Sequence, residues 1–311
     1  MEVEGGEGYA DADHGGATLF SCRLESAKEL HALVSCLAHE KKRKEHIALC
    51  QVNDQGLNFS MNQRAKTIQV SGTLPRRVFS SFECHEHGAF CLNLGMVLDC
   101  LSLFGPAAIS STAIAMTYSK EDAVFQLTME EHGVFTRCDI QTLDGSAQDE
   151  DEFSQLTSSF RRDPEACKLI LKSEFLKEAL YELQDLSGAS FVDVFISPTA
   201  PHFQLAATGN LGTLEIEFPK SSELFVLFSC SEALRFTYRL EALIRGMRAL
   251  LVAAETCVRI NVVGIMCIQH QVQNHSGVTS FVDFLMCPAD LQDEGASEIE
   301  RGLLTSGTAP A

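Results

Sequence analysis

Apolar residues recur along this chain with two alternating periods, and the switches between them mark out its elements. Thr18 to Leu24 alternates as a strand, after which Ala27, Leu30, Leu33, Val34 and Leu37 fall at helical spacing with Lys28, His31 and Ser35 opposite. Ser26, with Glu29 three positions later, supplies a start signal for that helix, and the charge run Glu40 to Glu45 ends it. Strands are predicted over His46 to Val52, Leu57 to Met61 and Ile68 to Leu74, the first two joined by a turn at Asn53-Asp54-Gln55-Gly56. Phe90 to Leu92 leads into Asn93, a cap for an apolar helix Leu94 to Phe104 that Gly105-Pro106 stops. Three further strands fit Thr112 to Tyr118, Ala123 to Met129 and Gly133 to Ile140.

The pattern then begins again. Cys167 to Lys172 reads as a strand, Ser173 as the cap of a helix to about Asp185, and Phe191 to Ile196 and His202 to Ala207 as strands. In Gly212 to Phe218 the residues Leu214, Ile216 and Phe218 face one side and Glu215 and Glu217 the other. Phe236 to Arg239 enters a second helix, Leu240 to about Leu250, followed by strands near Thr256 to Val262, Met266 to Val272 and Ser280 to Met286. Each half thus reads strand, helix, strands, helix, strands: a duplicated architecture without obvious sequence identity, and an α+β fold whose helices cover one face of antiparallel sheet.

Length and charge refine this picture. A chain of 311 residues suits two cores rather than one. The formal net charge of -18 argues at first against nucleic acid. Three segments, residues 1–16, 144–152 and 290–301, hold 15 of the 42 acids and only one of the 24 bases, so the remaining body is close to balanced. The expected division is an acidic disordered start at 1–16, a first domain at 17–140, an acidic interdomain linker at 141–163, a second domain at 164–288 and a disordered acidic tail at 289–311. Twelve scattered cysteines with no C-x-x-C pair and no signal peptide read as reduced thiols of a nuclear or cytosolic protein. No apolar run approaches a membrane span.

The stretch from Phe90 to Gly105, Phe-Cys-Leu-Asn-Leu-Gly-Met-Val-Leu-Asp-Cys-Leu-Ser-Leu-Phe-Gly, resembles the second helix of a known family. Gly56 to Val70, Ser197 to Leu205, Glu217 to Lys220 and Ser280 to Pro288 extend the likeness in order over roughly residues 18 to 290. The family is that of the DNA sliding clamps, and within it the Rad-one branch of the nine-one-one checkpoint clamp. The resemblance implies the DNA-clamp fold: two pseudo-symmetric domains, each with antiparallel sheet outside and two helices lining the interior of a ring. It implies two other clamp subunits as partners in a heterotrimer, sequence-independent double-stranded DNA in the hole, a clamp loader, and recruited checkpoint and repair proteins. The setting it implies is the nucleus, at damaged DNA or stalled forks.

By the same resemblance, Gly133 to Ile140, with Val134, Phe135, Thr136 and Arg137, and the strand carrying Leu214, Glu215, Ile216, Glu217 and Phe218 are the edges that pair with neighbouring subunits. Such edges otherwise invite aggregation. A sliding ring needs phosphate-directed charge on rigid helices and little contact with bases. The candidates are Lys28 and His31 on the first helix, the run Lys41, Lys42, Arg43 and Lys44 beyond it, Lys177 among Glu174, Glu178 and Glu182, and Arg239, Arg245 and Arg248 about the last helix. On charge pattern alone these are ordinary solvated helix faces; the resemblance reads them as DNA-facing. The acidic linker is a solubilising tether, or borders a partner groove as its equivalent does in related clamps.

Catalytic chemistry finds little support. Phosphate-binding glycine loops and a G-x-S-x-G elbow are lacking. The alternative of a 3' to 5' exonuclease would need convergent carboxylates, whereas Glu215 and Glu217 read as the wet side of a strand and Asp149 to Glu152 as linker. A second alternative, a homotrimeric replication clamp, shares the fold. Cys84-His85-Glu86-His87 with Cys91 is the densest set of metal ligands, but structural zinc commonly takes two separate pairs and the second is missing. The reading is a non-catalytic subunit without cofactor or metal.

Overall fold

The computed structural model describes residues 18–38, 46–63, 67–144, 147–221, 223–273 and 278–290. The basic run Lys41 to Lys44, the acidic start and the tail beyond residue 290 lie outside the described residues.

The first half runs β1 (Thr18–Leu24), α1 (Lys28–Leu37), β2 (Ile47–Asn53), β3 (Gly56–Gln63), β4 (Ile68–Pro75), β5 (Ser81–Cys84), β6 (Gly88–Asn93) and α2 (Leu94–Leu101). It closes with β7 (Ala113–Ser119), β8 (Val124–Glu131) and β9 (Val134–Gln141). After β10 (Leu143–Asp144) and α3 (Ala147–Arg162), the second half runs β11 (Glu165–Lys172), α4 (Ser173–Asp185), β12 (Phe191–Ile196), β13 (Phe203–Gly209) and β14 (Gly212–Phe218). It continues through β15 (Phe225–Cys230), β16 (Leu234–Arg239), α5 (Leu240–Leu250), β17 (Ala253–Asn261), β18 (Met266–Gln273) and β19 (Thr279–Met286).

The strands form three antiparallel sheets, ordered β5-β1-β7-β8-β9, β10-β6-β2-β3-β4-β19-β18-β17-β11-β15, and β14-β13-β12-β16. Matching β1 to β11 and counting on, β5-β1-β7-β8-β9 recurs as β15-β11-β17-β18-β19, and β6-β2-β3-β4 recurs as β16-β12-β13-β14. The two halves therefore repeat one topology. They are fused where β4 pairs with β19, from Phe281 opposite Thr73 to Met286 opposite Ile68, which makes the central sheet continuous.

Alternation along β4 and β19 sorts the helices to two faces. Gly72 of β4 lies so close to α1 that a Cβ there would stand 2.6 Å from Leu33 Cδ1, so the helix rests directly on the strand's backbone. Phe284 of β19 lies next to α5 at Gly246. On this face α1 packs on α2, α4 on α5, and α1 on α5. The buried stripe Leu30, Leu33, Val34 and Leu37 of α1 stabilises it by about 1.5–3 kcal/mol per side chain. The core of the first half centres on aromatic rings, with Phe90 stacked on Tyr118 at 3.9 Å between centroids and Phe20 and Phe125 around them.

The opposite face carries α3, so the acidic interdomain segment expected at 141–163 is helical over Ala147–Arg162. Leu156 and Phe160 are buried against Ile265, Cys267 and Leu285. Gln69 of β4 binds Thr157 twice, Nε2 donating to Oγ1 at 2.8 Å and Oε1 accepting from the backbone N–H at 3.1 Å. Asn62 Nδ2 donates to Glu152 O at 2.8 Å and Asn261 Nδ2 to Phe160 O at 3.4 Å, so the helix straddles the seam between halves. The acidic run hid a short apolar stripe, Phe153, Leu156 and Phe160, whose i, i+3, i+7 spacing is helical.

Smaller departures concern caps and edges. Asn93 caps α2 as expected, its Oδ1 accepting from Gly95 N–H at 2.8 Å and Met96 N–H at 3.3 Å, but the helix ends at Leu101 rather than Phe104. Ser173 is not a cap; its hydroxyl is buried against Thr256 Oγ1 at 2.8 Å. Ser26 Oγ accepts from Lys28 N–H at 3.2 Å, at the turn that starts α1. The short edge strands β5 and β15 escaped the sequence reading because each has one covered face and weak alternation.

Candidate strand edges and nucleic-acid interface

Repetition of topology makes β9 equivalent to β19 and β14 equivalent to β4. Within the chain β4 and β19 pair with each other, whereas β9 and β14 end their sheets and have no second strand neighbour among the described residues. On β9, Val134 is 56% and Phe135 62% exposed, unusual for side chains of that size, and Thr136 is half-buried. Arg137 Nε donates to Asp139 Oδ1 at 3.0 Å along the solvated side. On β14 the half-buried Leu214 and Ile216 pack against the core, Phe218 is buried and stacks on Phe203 at 4.9 Å, and Glu215 and Glu217 are exposed. Gln204 Nε2 is shared between the two carboxylates, 3.3 Å from Glu215 and 3.5 Å from Glu217.

The six expected DNA-facing residues all lie on or at the start of α1, α4 and α5, the helices grouped on one face, but their environments differ. Lys28 is exposed in the first turn of α1. His31, one turn on, is half-buried, and burial lowers its pKa, which favours the neutral ring over a phosphate-binding imidazolium. Lys177 is half-buried between exposed Glu174 and Glu178 on α4. Arg239 places its guanidinium 5.3 Å from the centre of the Phe191 ring. Arg245 is paired with Glu241 one turn earlier at 2.6 Å. Arg248 reaches across the halves, its Nη1 donating to Ala38 O at 2.9 Å, the carbonyl just past the end of α1. Arg239, Arg245 and Arg248 thus already have protein partners, of which only Glu241 beside Arg245 carries an opposing charge.

Between α3 and the central sheet runs a cleft of about 570 Å³ lined by Gln51, Asn58, Ser71, Thr157, Arg259 and Asp283 among others. Arg259 lies 5.3 Å from the Phe160 ring centre, and burial raises the pKa of Asp283, which accepts from Gln269 Nε2 at 2.8 Å. The segment expected to be a solubilising tether or to border a partner groove contributes Phe153, Ser154, Thr157, Phe160 and Arg161 to this cleft, and the remaining lining comes from strands distant in sequence.

A sequence model of the family described as repair protein Rad1/Rec1/Rad17 matches residues 19–272. The chain belongs to that family. It is 31% identical over 257 residues to the human cell cycle checkpoint protein RAD1, covering 82% of this chain and 87% of that one. The mouse protein of the same name is 32% identical over 248 residues, covering 79% and 85%. The Schizosaccharomyces pombe DNA damage checkpoint control protein rad1 is 24% identical over 299 residues, covering 89% and 88%. The Rad1-family chain has the α+β clamp fold expected from its sequence, and its family membership connects it with the DNA damage checkpoint and repair. Among the described residues no helix is long and apolar enough to cross a membrane.

Proposed function

We propose that this Rad1-family chain is the non-catalytic subunit of a heterotrimeric checkpoint clamp, a ring that encircles duplex DNA in the nucleus and presents its outer surface to partners. The observation that carries the reading is the pair of open edges at β9 and β14. Each corresponds to a strand already joined to the other kind inside the chain, so a neighbour's β14-like edge on β9 would repeat the β4–β19 seam. Contacts of this kind run head to tail, and head-to-tail contacts close into rings when the rotation per repeat permits. With α1, α2, α4 and α5 on one face of the continuous sheet, closure would set helices toward the hole and sheet outward. Phosphate contacts that are few and sequence-independent would let a ring held by topology slide. A clamp loader would open and place such a ring, and checkpoint and repair proteins would dock outside it. The relatives named as checkpoint proteins support this assignment.

The test is coexpression with two candidate clamp partners, followed by imaging. A three-chain ring is expected, with Phe135→Glu on β9 and the double change Glu215→Lys, Glu217→Lys on β14 each releasing a different neighbour. An isolated chain that closes a homotrimer, or variants that assemble as the parent does, would overturn the reading.

A further inference from the structure

Three ligand atoms of different chemistry converge at one corner of the first half. A carboxylate oxygen of Asp54, the Cys84 thiol and a ring nitrogen of His87 all lie within 4.8 Å of one another. We propose that this corner is a binding site for zinc or a similar borderline divalent cation, ligated by Cys84 Sγ, His87 Nε2 and an Asp54 oxygen with water completing the shell. The proposal does not depend on ring closure.

The frame that holds these side chains is fixed without a metal. Asp54 lies in the β2–β3 turn, where Asn53 Oδ1 accepts from Gln55 N–H at 2.8 Å and Gln55 O accepts from Arg76 N–H at 2.7 Å. Cys84 and His87 flank the β5–β6 turn, whose His85 and Glu86 N–H groups both donate to Leu19 O, at 2.9 and 3.3 Å. The pairing of Gly88 with Val52 sets the two turns side by side, and His87 Nε2 already lies 3.0 Å from Asp54 Oδ2. Both side chains are open to solvent, His87 at 64% and Asp54 at 62% exposure, so an ion has a path in. Preorganised backbone lowers the ordering cost of ligation.

The plainer account is a surface ion pair beside a structural cysteine, and the internal duplication separates the two. At the matching end of β15, Cys230 Sγ donates to Glu232 O at 2.9 Å, as Cys84 Sγ donates to Glu86 O at 3.4 Å. That thiol-to-carbonyl turn is common to both halves and accounts for a cysteine in each. It does not account for the histidine and aspartate that join the thiol in the first half alone, where the second turn has Ser231 and Ala233 in place of His85 and His87. A sulfur, an imidazole nitrogen and a carboxylate oxygen suit zinc, and disfavour the all-oxygen shells of magnesium or calcium. Ligation would deprotonate Cys84, releasing its proton to solvent, and would clip the β2–β3 hairpin to the β5–β6 turn.

The experiment uses the full-length reduced chain with zinc, and with cobalt as a spectroscopic probe. One equivalent should bind, with a thiolate-to-cobalt charge-transfer band and a raised melting temperature. Cys84→Ser and His87→Ala should lose both signals while melting as the parent does in chelator, and Cys230→Ser should keep them. Failure of the parent to bind, binding that survives Cys84→Ser and His87→Ala, or equal loss in Cys230→Ser would overturn the proposal.

Discussion

Arg248 Nη1 donates to the backbone carbonyl of Ala38 at 2.9 Å, tying the last helix of one half to the end of the first helix of the other. The same nitrogen lies 3.5 Å from Ser35 O, and Ala38 is itself buried. A cation placed at a helix C-terminus also complements the helix dipole. This residue therefore contributes to the seam between halves, whatever it adds to an electrostatic field.

Arg248→Met keeps much of the apolar stem and removes the donors. The buried carbonyl loses its partner, which should cost about 1–3 kcal/mol. Chemical denaturation should show a lower midpoint for the variant; an unchanged midpoint would mean the contact adds nothing to stability.

Lys28 offers the contrasting case, since it is exposed on α1. In an assembled ring on closed circular DNA, Lys28→Glu should shorten retention without lowering the melting temperature. The salt dependence of retention should become shallower by about one phosphate contact. Equal retention at every salt concentration would remove Lys28 from the DNA-facing set.

Acid should weaken the fold through His270. Burial holds this ring's pKa down at about 3 against an ordinary 6.5, and its Nδ1 lies 2.9 Å from Thr256 Oγ1. Between those two values the unfolded chain binds the extra proton, so stability falls as pH drops below 6.5 and the loss is complete near 3. The slope is about 1.4 kcal/mol per pH unit at most. Comparing His270→Gln with the parent between pH 6.5 and 5 isolates this group from most carboxylates; parallel stability curves would assign the acid sensitivity elsewhere.

Undocking of α3 should be a local event. Gln69→Leu removes both hydrogen bonds to Thr157, worth together about 1–3 kcal/mol. Amide exchange across 151–162 should quicken roughly fivefold or more while the central strands stay protected. Unaltered exchange in that helix would show that Leu156 and Phe160 hold it unaided.

The amphipathic stripes of α1, α4 and α5 and the alternation of β14 were legible because each buries one face, and burial on one face writes a period into the sequence. The helix α3 was masked by a run of acids, of which Asp151 and Glu152 are exposed. Its buried residues are few and its hydrogen-bond partners, Gln69 and Asn261, come from other strands. The basic candidates lie on or at the start of α1, α4 and α5, but charge pattern could not show that Arg239, Arg245 and Arg248 face an aromatic ring, a glutamate and a helix end.

By itself the sequence determined the duplicated order of strands and helices and the resemblance to a family, because periodicity and local motifs are properties of neighbours along the chain; that the strands at 133–140 and 212–218 are edges came from the resemblance alone. Only the tertiary structure decided that β4 and β19 fuse the halves, that Arg248 caps α1, and that Asp54 stands beside Cys84 and His87. Those relationships depend on strand register and helix docking, which bring together residues that no short-range pattern relates.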